Sequence, residues 1–319
     1  MKVSVIATVM NEGPALQGLM ESLRHQTRPA DEIVICDGGS TDDTLAVLES
    51  YRPYLPLRII QEAGSNISQG RNRAIEAAAG PIISATDAGV VLDPNWLAEL
   101  VRPFEEHNAI VTSGWFEADP HTRFEVIMGA TVLPALADVD PATFLPSSRS
   151  VAFLKEAWQG VGGYPEWLDY SEDLVFDLAL KQRYGQFAFA PKAVAHFRPR
   201  GDLRSFGRQY YLYARGDGKA DLWAKRHAVR YLSYLVGLPL ITILILSRRI
   251  AGWFLLLLGG GIYCWRPVER LWAQTQKWAP WARVAGLALI PVLRLVGDVA
   301  KMIGYPVGRY WRLKNRPPK

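Results

Sequence analysis

Cysteine is nearly absent from this chain. Its 319 residues include two, Cys36 and Cys264. Both sit in apolar stretches, which excludes a disulfide framework and offers no metal-binding spacing. Such usage suits a reducing compartment. Charge is scarce too, at 21% of residues against 49% apolar. No internal repeat or low-complexity linker is visible. A secretory signal is not read either: Lys2–Met10 is short and runs into Asn11-Glu12 without a small-residue cleavage site. The N-terminal part is therefore expected to be cytoplasmic.

The charge that is present is unevenly placed. From Trp223 onward there are 16 basic and 2 acidic residues, and before it 20 basic and 29 acidic. An acidic first part is thus joined to a basic, apolar tail. Such asymmetry points to nucleic acid or to an anionic membrane. Basic clusters alternating with apolar runs favour the membrane over nucleic acid. Residues 231–246 and 250–265 are uncharged apolar runs and candidate spans. Each is about 24 Å long as a helix, short of a hydrocarbon core of about 30 Å. Flanking Arg230, Arg248, Arg249 and Arg266 can snorkel to extend them. A third run, 284–303, carries Arg294 and Asp298 on one helical face and reads as interfacial or packed. Seven of the 11 tryptophans lie in the tail, as suits a bilayer interface. A buried helical domain is the rival reading.

The first part alternates strands and helices. Val3–Thr8, Glu32–Cys36, Leu57–Gln61, Ile82–Ala85 and Ile110–Thr112 read as strands. Ala15–Gln26, a stretch ending near Tyr51, Gly70–Ala79 and Pro94–Glu106 read as the intervening helices. This alternation predicts an α/β fold with a mainly parallel sheet covered on both faces. Ligands then bind at the carboxyl ends of the strands. Further on, Val151–Leu154, Phe187–Ala190 and Val194–Phe197 read as strands, and Ser171–Gln182 and Ser205–Arg215 as helices. Trp115–Pro146 has no assignable pattern. The expected division is 1–222 and 223–319.

Four polar stretches fall at predicted strand ends or helix starts: Ala7–Glu12, Cys36–Asp42, Gly70–Ala74 and Ala85–Gly89. Acidic residues there supply acceptors for a base and ribose. Gly38-Gly39 lets backbone approach closely, and Arg71 and Arg73 supply donors for a diphosphate. Read singly, Asp37-Gly38 is a turn and Glu172-Asp173 favours a helix dipole.

Taken together, these stretches resemble in order and spacing the family 2 inverting glycosyltransferases, which have the GT-A nucleotide-diphospho-sugar fold. The resemblance covers roughly Val3–Arg215, including Val161-Gly162-Gly163-Tyr164 and Ser171-Glu172-Asp173. It implies a donor site of Thr8, Asn11, Glu12, Asp37, Gly38, Arg71 and Asp87, with Glu12 and Asp37 at the base and ribose. It implies Asp173 as catalytic base. Glu172, Gly163, His196, Arg198, Arg200 and Gln209 would lie on the acceptor or phosphate side. It also implies a nucleotide-diphospho-sugar donor; together with the membrane tail it points to a lipid-linked sugar as acceptor, with a soluble or growing-polysaccharide acceptor as the alternative.

Gly89 departs from the pattern, standing where the family's second acid of Asp-x-Asp is expected. A divalent cation, Mg²⁺ or Mn²⁺, would then rest on Asp87 and the diphosphate, with His196 as a further candidate ligand. Alternatively Arg71, Arg198 or Arg200 neutralises the leaving group. The stretch Arg208–Gly218 is only a poor match to the acceptor-side helix of processive relatives. Two rival functions remain. A sugar-phosphate nucleotidyltransferase needs a basic Gly-rich loop after the first strand, and Thr8–Gly13 has one Gly and no base. A non-catalytic nucleotide-sugar scaffold would explain Gly89 but not Asp173.

Overall fold

The computed structural model describes residues 1–318. It divides into two compact units: Met1–Asp119 with Leu136–Arg198, and Pro120–Ala135 with the chain from Pro199 onward.

The first unit is built on one mixed sheet of β1 (Val3–Val9), β2 (Glu32–Asp37), β3 (Leu57–Gln61), β4 (Ile82–Ala85), β5 (Val90–Leu92), β6 (Val111–Ala118), β7 (Val151–Leu154) and β8 (Ala188–Phe197). Their order is β3-β2-β1-β4-β7-β6-β8-β5. The strands β3-β2-β1-β4 run parallel, whereas β7 is antiparallel to both neighbours. Helices α1 (Leu16–Arg24), α2 (Thr44–Ser50), α3 (Ile67–Ala77) and α4 (Trp96–His107) occur among these strands. In β1 the side chains of Val3, Val5, Ala7 and Val9 join one buried cluster with α1 and α4, while Ile6 joins the other. That is the alternation of a strand covered on both faces. Gly70 brings α3 onto β1: a Cβ there would lie 2.8 Å from Thr8 Cγ2.

Where the structure departs from the sequence reading, local chemistry explains it. α3 begins at Ile67, ahead of Gly70, because Asn66 and Gln69 form a reciprocal capping box. The segment without a pattern contains the second half of β6 and the whole of α5 (Arg123–Val132), which Thr122 and Glu125 cap in the same way. The two short strands near 187–197 are one strand, β8.

The remaining helices of the first unit are α6 (Lys155–Val161) and α7 (Glu172–Tyr184). The second unit holds α5, α8 (Leu203–Ala220), α9 (Ala224–Leu232), a π-helical turn (Ser233–Gly237), α10 (Leu238–Leu246), α11 (Ile250–Gln274) and α12 (Pro280–Asn315). Its core joins Ile127, Phe206, Leu271, Ile290 and Leu293. α8 and α12 touch backbone to backbone: a Cβ on Gly304 would lie 2.2 Å from Tyr211 O, and one on Gly308 2.1 Å from Arg215 O. Residues 224–246 form one 23-residue helix, long and apolar enough to cross a membrane, and the apolar window within it has no buried residue. Run 231–246 lies in that helix, 250–265 opens α11, and 284–303 lies inside α12. Asp298 pairs with Arg230 at 2.8 Å, not with Arg294 one turn away.

Candidate functional site

The site forms where the ends of β1, β2 and β4 meet α3 and α7. Three strand-end loops are stitched together first. Asn11, at φ 55°, accepts from the Thr41 amide at 2.8 Å and donates its own amide to Ser40 Oγ at 2.9 Å. Asp37 is buried, and its carboxylate accepts from the Gly39 and Ser40 amides and from the Ser40 hydroxyl. Its charge is therefore spent on shaping its own turn. The third loop joins when the Gly64 amide donates to Gly38 O at 3.0 Å. Beside it, Glu62, Ser65, Gln69 and Arg73 line a cavity of about 170 Å³. Arg73 itself is half exposed and pairs with Glu76 at 3.0 Å.

Arg71 is the centre of the second cluster. Only 2% of its side chain is exposed, and it bridges two carboxylates. Nη2 donates to Asp87 Oδ1 at 2.8 Å and Nη1 to Glu172 Oε1 at 2.7 Å. Its Cζ lies 5.3 Å from the Tyr164 ring centroid. Burial opposes its charge, but Asp87 and Glu172 outweigh that and raise its pKa.

The neighbouring Asn72 anchors the loop leading to Glu172. Its amide oxygen accepts from the Tyr164 amide at 2.9 Å and from Trp158 Nε1 at 3.0 Å, while its nitrogen donates to Tyr164 O and Glu166 Oε1. Gly163 makes this approach possible. At φ +79° it would put a Cβ 2.9 Å from Asn72 Oδ1. Ser171, at φ 63°, turns the chain into α7.

Three carboxylates follow on α7. Burial, then Asp173, pushes Glu172 up to about 7 against the pull of Arg71. Burial also raises Asp173, opposed by Arg71 and Arg149 and reinforced by Asp87. Asp177 is fully enclosed; burial and then Asp173 hold it well above the usual carboxylate range, and its Oδ2 has no hydrogen-bond partner among the described residues. Asp173 is partly exposed, and Oδ1 accepts from the Leu174 amide at 2.9 Å.

Arg149 is a site residue that sequence reasoning missed. Its Nε lies 3.6 Å from Asp87 Oδ2, and a quarter of its side chain is exposed. The available signal was a lone cation just before β7, at the strand edge facing the Asp87 turn.

Among the described residues no three His, Cys, Asp or Glu side chains gather as a metal set. His196 lies in β8 opposite Val91 and Glu117 and joins no such group. Asp87 is partly exposed, and a Cβ at Gly89 would meet nothing within 4 Å. One accessible carboxylate with open space beside it fits a hard cation held mainly by a diphosphate. Of the other expected residues, Arg198 is an exposed residue just past β8. Arg200 and Gln209 belong to the second unit, where Gln209 donates to Tyr213 at 2.6 Å.

Residues 4–133 match the family model described as Glycosyl transferase family 2. "Uncharacterized glycosyltransferase YibD" of Escherichia coli is 39% identical over 88 residues, 27% of this chain and 26% of that protein. TarS of Staphylococcus aureus, described as a poly(ribitol-phosphate) beta-N-acetylglucosaminyltransferase, is 31% identical over 115 residues, 35% of this chain and 20% of that protein. Its structure with UDP-GlcNAc aligns over 98% of this chain and 92% of its own, at TM-score 0.52 and 20% identity. The mannosyltransferase PcManGT of Pyrobaculum calidifontis, solved with GDP-Man and Mn²⁺, aligns over 99% and 87% at TM-score 0.58 and 18% identity. These structural likenesses establish a GT-A-like fold. The chain matches only about a quarter to a third of the length of the first curated relatives.

Proposed function

From the premise that this chain carries a Glycosyl transferase family 2 domain, we propose that it moves a sugar from a nucleotide-diphospho-sugar to an acceptor hydroxyl with inversion. The observation that carries this reading is the Arg71 bridge, which ties Asp87 to Glu172, the residue before Asp173.

The base and ribose lie against the loops of Asn11, Glu12, Asp37 and Gly38. The diphosphate faces Asp87, with Arg149 as the partly exposed cation beside it. Asp87 would hold a divalent ion there, which supplies charge neutralisation to the leaving diphosphate. Asp173 takes the proton of the acceptor hydroxyl as that oxygen attacks the anomeric carbon. The nucleoside diphosphate leaves from the opposite face. Burial supports this role, because a carboxylate above its usual pKa is a better base near neutral pH. Arg71 cannot act as an acid; it keeps the neighbouring carboxylates in place. Fold neighbours solved with UDP-GlcNAc and GDP-Man support a nucleotide-sugar donor.

Membrane attachment rests on the 224–246 helix and on the basic tail. A lipid-linked or cell-surface glycan acceptor, met from the cytoplasmic side, follows from that attachment. Asp173→Asn tests the mechanism. It should leave donor affinity within about twofold and lower kcat by about 10²–10⁴. Full turnover in that variant would remove Asp173 from the reaction.

A further inference from the structure

The helices of the second unit enclose a groove of about 640 Å³. Leu238, Ile241, Leu255 and Leu256 make one wall hydrocarbon. Gly259 and Gly260 leave its lining bare, since a Cβ at either would meet nothing within 4 Å. One end differs in kind, because Arg226, Arg230 and Arg294 line it. An adjoining cavity of about 210 Å³ shares Arg230, Arg294 and Asp298 with the groove and adds Lys301.

Across the two adjoining cavities four cations, Arg226, Arg230, Arg294 and Lys301, line the walls with Asp298 as the one lining carboxylate. Asp298 is already engaged by Arg230 at 2.8 Å, Tyr234 at 3.2 Å and Tyr263. Arg294 has no carboxylate partner among the described residues. Its guanidinium lies 3.8 Å from the Tyr263 ring centroid, and its buried Nε donates to nothing. Arg226 rests on the Trp223 ring and Lys301 on the Tyr210 ring, with no ion pair for either among the described residues.

Uncompensated cations beside a hydrocarbon wall call for an anion joined to an apolar body. We propose that this groove binds one anionic lipid, its phosphate at Arg226, Arg294 and Lys301 and its chain along Leu238, Ile241, Leu255 and Leu256. A free phosphate would answer the cations and leave the wall wet. A zwitterionic lipid would fill the wall but bring a cation of its own. The proposal stands on the second unit alone and is independent of the transfer reaction.

The test is native mass spectrometry of the full chain in a maltoside detergent. The probes are phosphatidylglycerol and phosphatidylcholine of equal chain length, and inorganic phosphate. One phosphatidylglycerol should be retained per chain, in clear preference to phosphatidylcholine. Arg294→Gln should lower its retention about fivefold, the worth of one basic contact. Gly260→Leu should lower it at least as much by filling open space. Equal retention of the two lipids overturns the proposal. So does undiminished retention in Gly260→Leu, or thermal stabilisation by inorganic phosphate alone that matches the lipid. Should Arg294→Gln fail to fold, Gly260→Leu decides, since a Cβ at position 260 meets no atom within 4 Å.

Discussion

Replacing Glu172 with Gln should make the protein more stable at pH 8 and leave it unchanged near pH 4. Glu172 is buried in the folded chain, where its pKa is pushed up to about 7. Unfolded, a glutamate titrates at about 4.3. The folded form therefore holds the proton more tightly. Below about pH 4 the group is protonated in both states and contributes no difference. As pH rises toward 7, the unfolded chain releases its proton first and stability falls by about 1.4 kcal/mol per pH unit. By pH 8 the loss is up to about 3 to 4 kcal/mol, a large share of a domain stability of about 5–15 kcal/mol. Glutamine carries no proton to lose, and its amide oxygen can still accept from Arg71, which keeps Asp87. Asp173 and Asp177 tilt the curve the same way, so only the difference between variant and wild type isolates position 172. Urea unfolding followed by tryptophan fluorescence from pH 4 to 8 would measure it. Parallel pH curves for the two proteins would show that Glu172 is not strained by ionisation, and the account of the cluster would fall.

Other perturbations read other parts of the structure. Gly163→Ala, at φ +79° and against Asn72 Oδ1, should cost about 1–3 kcal/mol in the same unfolding assay; an unchanged midpoint would deny the close approach. Arg149→Met should weaken nucleoside diphosphate binding about tenfold or more, the worth of a bond to a charged group, and spare the nucleoside. Calorimetry with both ligands checks this, and equal losses would deny a phosphate contact. Gly304→Val would drive a side chain into Tyr211 O and should destabilise the second unit by more than about 1 kcal/mol in a thermal scan.

Much of the first unit was legible because its strands are short β-branched runs with plain terminators, as at Gly80-Pro81. Arg71, Asp87 and Glu172 were legible as positions at strand ends and a helix start. Their mutual contact was not, because 101 residues separate Arg71 from Glu172 and no local pattern encodes that distance. The capping pairs Asn66/Gln69 and Thr122/Glu125 are local signals in the sequence, and they set the start of α3 and of α5. β7 was placed correctly, but its antiparallel direction depends on which neighbours it finds. Asp37 reads from sequence as a ligand-facing acid, yet its carboxylate is taken by the amides of its own turn. Arg149 was invisible because a lone arginine before a strand is ordinary until the fold sets it beside Asp87.

The glycine contact between α8 and α12 has a consequence for how this protein should be handled. Two backbones in direct touch are held by dispersion, which works as well in a hydrocarbon solvent as in water. The sheet of the first unit is held largely by exclusion of water from its two cores. Urea should therefore loosen the first unit before the second. A short-chain or ionic detergent that wedges between helices should do the reverse, so no single denaturant reports on the whole chain.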